Sequence, residues 1–297
     1  MKRSMVLSVL IAVGTLSLAA AGYQQPPQPQ GPKVVEAEKI KDNLYMLTGQ
    51  GGGGNTAVYI GASGVTVVDA KNPGWGMPIL NKIKELTPKP VTLLINTHTH
   101  GDHVSGNVDF PATVDIVVQE NTKANMEKMP IFKESGGRGM AKRTFKDKMT
   151  IGSGKDRVDL YYFGRGHTNG DAWIVFPELR VAHAGDIFSG KNLPLLDYNN
   201  GGSGMDIGAS LAKAHAGIKN VDTIIPGHST LMTWSDLAEY AQFNKDFLSD
   251  VQAAMKAGKT ADAVAASWKP ADKYKGYTVA EARLKTNVTA VMGELGK

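Results

Sequence analysis

Asn96-Thr97-His98-Thr99-His100-Gly101-Asp102-His103 is the stretch from which the rest of the chain can be read. It follows the apolar run Val91 to Ile95, so a strand delivers it, and Gly101 and Gly106 give the backbone freedom for several side chains to converge. Residues two apart on an extended segment point the same way, so His98 and His100 can approach one ion together. Once the chain turns at Gly101, Asp102 and His103 can face a second. The chain contains no cysteine, so such a site is built from imidazole and carboxylate, with no thiolate ligand or nucleophile and no disulfide to staple the fold.

Working outward, each further candidate ligand sits where an apolar strand gives way to a glycine-containing loop. His167 lies in Gly164-Arg165-Gly166-His167 past a strand ending at Phe163, Asp186 in Ala184-Gly185-Asp186, and His228 in Pro226-Gly227-His228 past Ile224-Ile225. Strand ends along one sheet edge are where α/β proteins assemble sites. Strands are predicted at 43–48, 56–60, 65–69, 91–96, 113–118, 157–163, 172–176, 180–184 and 221–225. Apolar residues at helical spacing predict helices at 77–86, 122–129, 206–218, 234–257, 261–267 and 279–295. Strands interleaved with helices, without a long internal linker, favour a single layered α/β domain over two.

This pattern resembles the metallo-β-lactamase superfamily. Its motifs are an Asp on an early strand, His-x-His-x-Asp-His, then a His, an Asp and a His on later loops, and they fall here on Asp69, His98/His100/Asp102/His103, His167, Asp186 and His228. The resemblance implies a four-layer αβ/βα sandwich of two mixed sheets with the site along one edge. It also implies two zinc ions per chain: His98, His100 and His167 on the first, Asp102, His103 and His228 on the second, and Asp186 bridging. Asp69 would orient a ligand histidine through its other ring nitrogen, and Asp102 would be the catalytic carboxylate. The activity implied is zinc-dependent hydrolysis of a small-molecule substrate by a metal-activated hydroxide, on a cyclic amide or ester, a β-lactam among them. Lactamases of the superfamily commonly carry Cys or Ser where this chain has Asp186, which keeps a thioesterase or lactonase of the same fold open, as well as a persulfide dioxygenase with a single iron. Lys191 and Asn192, just past Asp186, are expected to contact a substrate carboxylate or carbonyl.

The remaining residues bound the partners and the compartment. Met1-Lys2-Arg3, the apolar stretch Met5 to Leu18 and Ala19-Ala20-Ala21 read as a signal peptide over 1–21, which predicts a periplasmic or secreted protein. The apolar stretch is shorter than the roughly 20 residues that cross a bilayer, so no stable membrane insertion of the mature chain is expected. Residues 22–32 read as a Pro/Gln-rich linker and 33–297 as the hydrolase domain. The formal charge of +5 falls to about +3 without Lys2 and Arg3, too little for a nucleic-acid footprint. The Gly51–Gly54 run lacks the following Lys and helix of a phosphate cradle and is expected to be a mobile loop over the site rim. His183 is expected to be a satisfied buried histidine, His215 a surface residue, and Trp75 and Tyr198 core or rim aromatics.

Overall fold

The computed structural model describes residues 32–296. The predicted signal peptide, and the linker up to Gly31, lie outside the described residues. The first sheet contains β1 (Glu36–Lys41), β2 (Leu44–Thr48), β3 (Thr56–Ile60), β4 (Val65–Val68), β5 (Val91–Ile95), β6 (Asp115–Gln119) and β7 (Arg143–Phe145), paired in chain order. Pairing is antiparallel up to β4 and parallel from β4 to β7. The second sheet runs from β8 (Lys148–Ile151) through β9 (Val158–Tyr162), β10 (Ala172–Phe176), β11 (Val181–Gly185) and β12 (Thr223–Pro226) to β13 (Met232–Thr233). Only its β11–β12 pair is parallel.

Side-chain alternation along the strands sorts the apolar residues into three slabs, and these define the layers. Ala57, Val68, Ile95 and Val117 of the first sheet meet Leu160, Ile174, Phe176 and Ile225 of the second in the central slab. The opposite faces are covered by helices. Val58, Val67, Leu94 and Ile116 pack beneath α1 (Gly76–Leu86), α3 (Glu120–Met126) and α4 (Pro130–Glu134), through Ile79, Ile83, Met126 and Phe132. Between α1 and α3, after β5, the chain makes the one-turn helix α2 (Gly101–Val104). Trp173, Val175, Ala182 and Ile224 pack beneath α5 (Ile207–Gly217), α6 (Trp234–Lys256) and α8 (Glu281–Leu295), with Val264 of α7 (Ala261–Ser267) joining them. Sheets apolar on both faces must be covered twice, and the result is the expected four-layer sandwich of two mixed sheets. Each fully buried Val, Leu, Ile or Phe in these slabs contributes about 1.5–3 kcal/mol, so the three slabs are the main source of stability.

The longest helix starts where the sequence marks it. The Thr233 hydroxyl accepts from the Asp236 N–H and the Asp236 carboxylate accepts from the Thr233 N–H, a reciprocal cap that satisfies two otherwise unpaired donors. Among the described residues no helix is long and apolar enough to cross a membrane.

Candidate metal centre

Five strand ends feed one place. Asp69 follows β4, residues 96–103 follow β5 and run into α2, His167 sits on the β9–β10 connection, Asp186 follows β11, and His228 follows β12. Candidate ligand atoms of His98, His100, His167 and Asp186 all lie within 4.8 Å of one another, and so do those of Asp102, His103 and His228. Asp186 touches both groups, with Oδ2 3.8 Å from His167 Nε2 and 3.2 Å from His228 Nε2, and Oδ1 3.3 Å from His103 Nε2.

Hydrogen bonds around the histidines decide which ring nitrogens are bare. Asp197 Oδ2, which can only accept, lies 2.8 Å from His100 Nε2, so that nitrogen carries the proton and Nδ1 is left as a lone pair. The Leu195 carbonyl, 2.6 Å from His167 Nδ1, likewise puts the proton there and bares Nε2. Thr97 spends its hydroxyl hydrogen on Asp69 Oδ2 at 2.7 Å, so at 2.9 Å it accepts from His98 Nδ1. That leaves His98 Nε2 buried without a hydrogen-bond partner. His100 Nδ1 and His167 Nε2 consequently face each other at 3.0 Å, lone pair to lone pair. Such an arrangement is repulsive alone and is relieved by a cation between them. The edge of a tetrahedron with Zn–N bonds of about 2.0–2.1 Å is about 3.3 Å, and the spacing of this one pair is close to it.

The second group is built the same way on one side only. Asp69 Oδ2 lies 2.7 Å from His103 Nδ1, so Asp69 orients this imidazole through its outer nitrogen, while Asp69 Oδ1 accepts from the Thr97 N–H at 2.8 Å. His103 Nε2 then faces His228 Nε2 at 3.4 Å, and Asp102 Oδ2 lies 3.2 Å from His228 Nε2. Asp69 holds this position with a left-handed backbone (φ 64°), a conformation Asp tolerates better than most residues.

Charge and burial divide the two groups. Burial, reinforced by the neighbouring histidines, keeps His98 well below the usual histidine range, and burial takes His167 down to about 4. Burial also opposes protonation of His103, but the Asp186 and Asp69 carboxylates outweigh it and hold His103 well above that range. Hydrogen bonds to Asp102 and Asp186 push His228 up to about 9. Asp186 lies well below the usual carboxylate range because His103 and His228 overcome its burial.

Residues 49–228 match the metallo-beta-lactamase superfamily. The chain belongs to that superfamily. It is 27% identical over 270 residues to the metallo-beta-lactamase type 2 of Elizabethkingia meningoseptica, an alignment covering 86% of this chain and 99% of the relative. A hydroxyacylglutathione hydrolase of Nostoc punctiforme is 30% identical over 166 residues, 54% of each chain. Among solved structures, a stereoselective inverting sec-alkylsulfatase from Pseudomonas superposes with a TM-score of 0.72 at 15% identity, over 88% of this chain and 50% of that one. The molecule is thus a metallo-β-lactamase-fold hydrolase with a His/Asp cluster of metal-site type.

The cluster gathers His98, His100, Asp102, His103, His167, Asp186 and His228, with Asp69 beneath His103. The Lys191 ammonium lies 2.8 Å from Asp236 and 3.2 Å from Glu239, so two α6 carboxylates engage the side chain expected to meet a substrate. Asn192 accepts from Ser189 Oγ at 3.3 Å and its backbone pairs with Thr278. The glycine run is also not a loose rim loop: Gly52, Gly54 and Asn55 are buried. His183 is the satisfied buried histidine expected, with Nε2 donating to the Asn55 carbonyl and Nδ1 accepting from the Gly185 N–H. His215 is half-buried and stacks on Trp234. Trp75 is core. Sequence reasoning missed Asp197, Thr97 and Lys71. Lys71 is fully buried and its Nζ donates to the Gly54 carbonyl at 2.5 Å. Burial lowers it to about 8 against the pull of Asp69 and Asp102.

Proposed function

We propose that the chain is an exported dinuclear-zinc hydrolase acting on a small cyclic amide or ester, a β-lactam among them. The observation that carries the reading is the pair of ligand sets meeting at one shared carboxylate, Asp186. His98, His100 and His167 would hold the first ion, and Asp102, His103 and His228 the second, an all-nitrogen-and-oxygen set that suits zinc and leaves positions open for water and substrate. When bound, zinc would supply a water of near-neutral pKa and a Lewis acid for the carbonyl under attack.

Asp102 is the carboxylate for the proton. Its side chain is partly exposed and its Oδ2 lies 3.2 Å from His228, so it can accept a hydrogen bond from the attacking water and pass the proton to the leaving group. Asp69 and Asp197 keep His103 and His100 turned inward, and no side-chain nucleophile is needed. The near full-length likeness to a type 2 lactamase supports a lactam substrate. A second reading, hydrolysis of a thioester or lactone, is favoured by Asp186 at the position where lactamases of the superfamily commonly carry Cys or Ser, and by the likeness to a hydroxyacylglutathione hydrolase. Export rests on the leader-like first 21 residues.

The test is to load purified protein with zinc, count the metal, and assay a chromogenic cephalosporin, a lactone, a thioester and a phosphodiester side by side. Turnover of the cephalosporin with two zinc ions per chain is the expected result. Turnover of the thioester or lactone alone selects the second reading. A chain that binds one iron and consumes oxygen with a persulfide, or that turns over none of the four substrates with zinc bound, overturns both.

A further inference from the structure

Asn55 and the glycines before it lie between the two loops that carry Asp102, His103 and His228. The Asn55 N–H donates to the Gly227 carbonyl at 2.7 Å, and its side-chain amide donates to the Pro226 and Ser229 carbonyls, each at 2.8 Å. One residue thus grips the backbone on both sides of His228. On the opposite side the Gly54 N–H donates to the Asp102 carbonyl at 3.1 Å. The fit is close enough to exclude side chains. A Cβ on Gly54 would stand 2.1 Å from the His103 ring, and one on Gly53, whose φ is +92°, would stand 2.4 Å from Asp102 Cβ. The run is pinned from behind by Lys71 on the Gly54 carbonyl and by His183 on the Asn55 carbonyl. Among the described residues, none of these hydrogen bonds reaches the side chain of His98, His100 or His167.

We infer that Asn55, carried by the Gly52–Gly54 run, is a positioning residue for the second metal: it sets the His228 loop at its distance from Asp102 and His103. The inference rests on the dinuclear reading above and adds to it a determinant selective for one of the two ions. His228 needs such a determinant more than any other ligand. It is the most exposed of the candidate ligands, at 39% of its side chain, and it is delivered by a short loop. His98 and His103, by contrast, are locked by Thr97 and Asp69 in the core. Removing the Asn55 amide leaves the Pro226 and Ser229 carbonyls without this donor and lets the loop drift. Groups that orient a metal ligand typically control affinity by about 10- to 100-fold.

The experiment is a stepwise zinc titration of metal-free protein against a chelating chromophore, with wild type, Asn55→Ala and the equal-volume Asn55→Asp, whose side chain offers no N–H. Asp197→Asn, which loosens His100, is the opposite control. The expected result is two zinc ions on wild type, and a second step about 10- to 100-fold weaker in both Asn55 variants with the first step unchanged. Asp197→Asn should weaken the first step instead. If Asn55→Ala does not fold, Asn55→Asp decides. Two unchanged steps in a folded Asn55 variant, or two steps weakened in parallel, would overturn the positioning role while leaving the dinuclear reading intact. A wild-type chain that holds fewer than two ions would sink both.

Discussion

The two ligand sets share Asp186 and sit side by side, yet they are prepared for a cation in opposite ways. His98, His100 and His167 are held from behind by a hydroxyl, a carboxylate and a carbonyl, and three bare nitrogens converge among buried neighbours. Their burial keeps His98 and His167 neutral at physiological pH. Asp102, His103 and His228 form instead a cluster in which protons stand in for the ion, with carboxylates raising His103 and His228. The first set is therefore complete before metal arrives, whereas the second must exchange protons for it and must keep an exposed loop in place. The lesson is that one family motif can combine a preformed site with a conditional one.

The largest effect that would break this comparison concerns turnover. If the proposed mechanism holds, His98→Ala or Asp102→Ala should each abolish nearly all hydrolysis, by at least about 10³-fold in kcat, because that mechanism requires both the metal site and the proton-carrying carboxylate. The folded state should survive, since the site lies at the strand ends and not within the three apolar slabs. Circular dichroism with metal counting separates the two variants: Asp102→Ala should keep the first ion, while His98→Ala should lose it. A folded variant that retains most activity removes that residue from the machinery.

Proton exchange gives a smaller, graded effect. Binding the second ion requires deprotonated His103 and His228, so between pH 6 and pH 8 its affinity should rise by about tenfold or more per pH unit, the share due to His228 levelling off as the pH passes about 9. Over the same range the first step should change little, because His167 titrates near 4. The stability of the metal-free chain carries the matching sign. His228 has its pKa raised above the unfolded value, so its contribution is fully present below pH 6.5 and is lost as pH rises through about 9. Zinc titrations at three pH values check this. Equal slopes for the two steps would show that the sets are electrostatically alike.

Much of the architecture was legible because strand residues buried on both faces leave near-continuous apolar runs, as in Val65–Val68 and Val91–Ile95. The candidate ligands stood out because His and Asp clustered after such runs have few other uses, and the fold gathers them at one place. What escaped notice follows from the same physics. The strand β1, Glu36–Lys41, is a charged, largely exposed edge strand with no apolar alternation to read, and β7 and β8 are short and mixed in polarity. Asp197 lies in a polar turn whose sequence marks a bend and says nothing of His100, a partner 97 residues away. Nothing in the local sequence marks Lys71 as buried, since its burial depends on a carbonyl brought to it by the glycine run.

The finest test of the contrast between the sets is Lys191, on the segment that follows the shared Asp186. A free ammonium on that segment would be a candidate receptor for anionic substrates. Instead Asp236 and, less closely, Glu239 engage it and raise its pKa, with its side chain about a third exposed. Ion pairs this open to water contribute about 0.2–1 kcal/mol, so Lys191→Ala should lower stability by no more than that. Its Michaelis constant for an anionic substrate such as a cephalosporin should stay within about twofold of wild type, since a cation already neutralised by two carboxylates offers little to a third. Steady-state kinetics against an anionic and a neutral substrate measure this directly. A Michaelis constant that rises tenfold for the anionic substrate alone would mean that Lys191 leaves the α6 carboxylates when substrate enters and meets its charge directly.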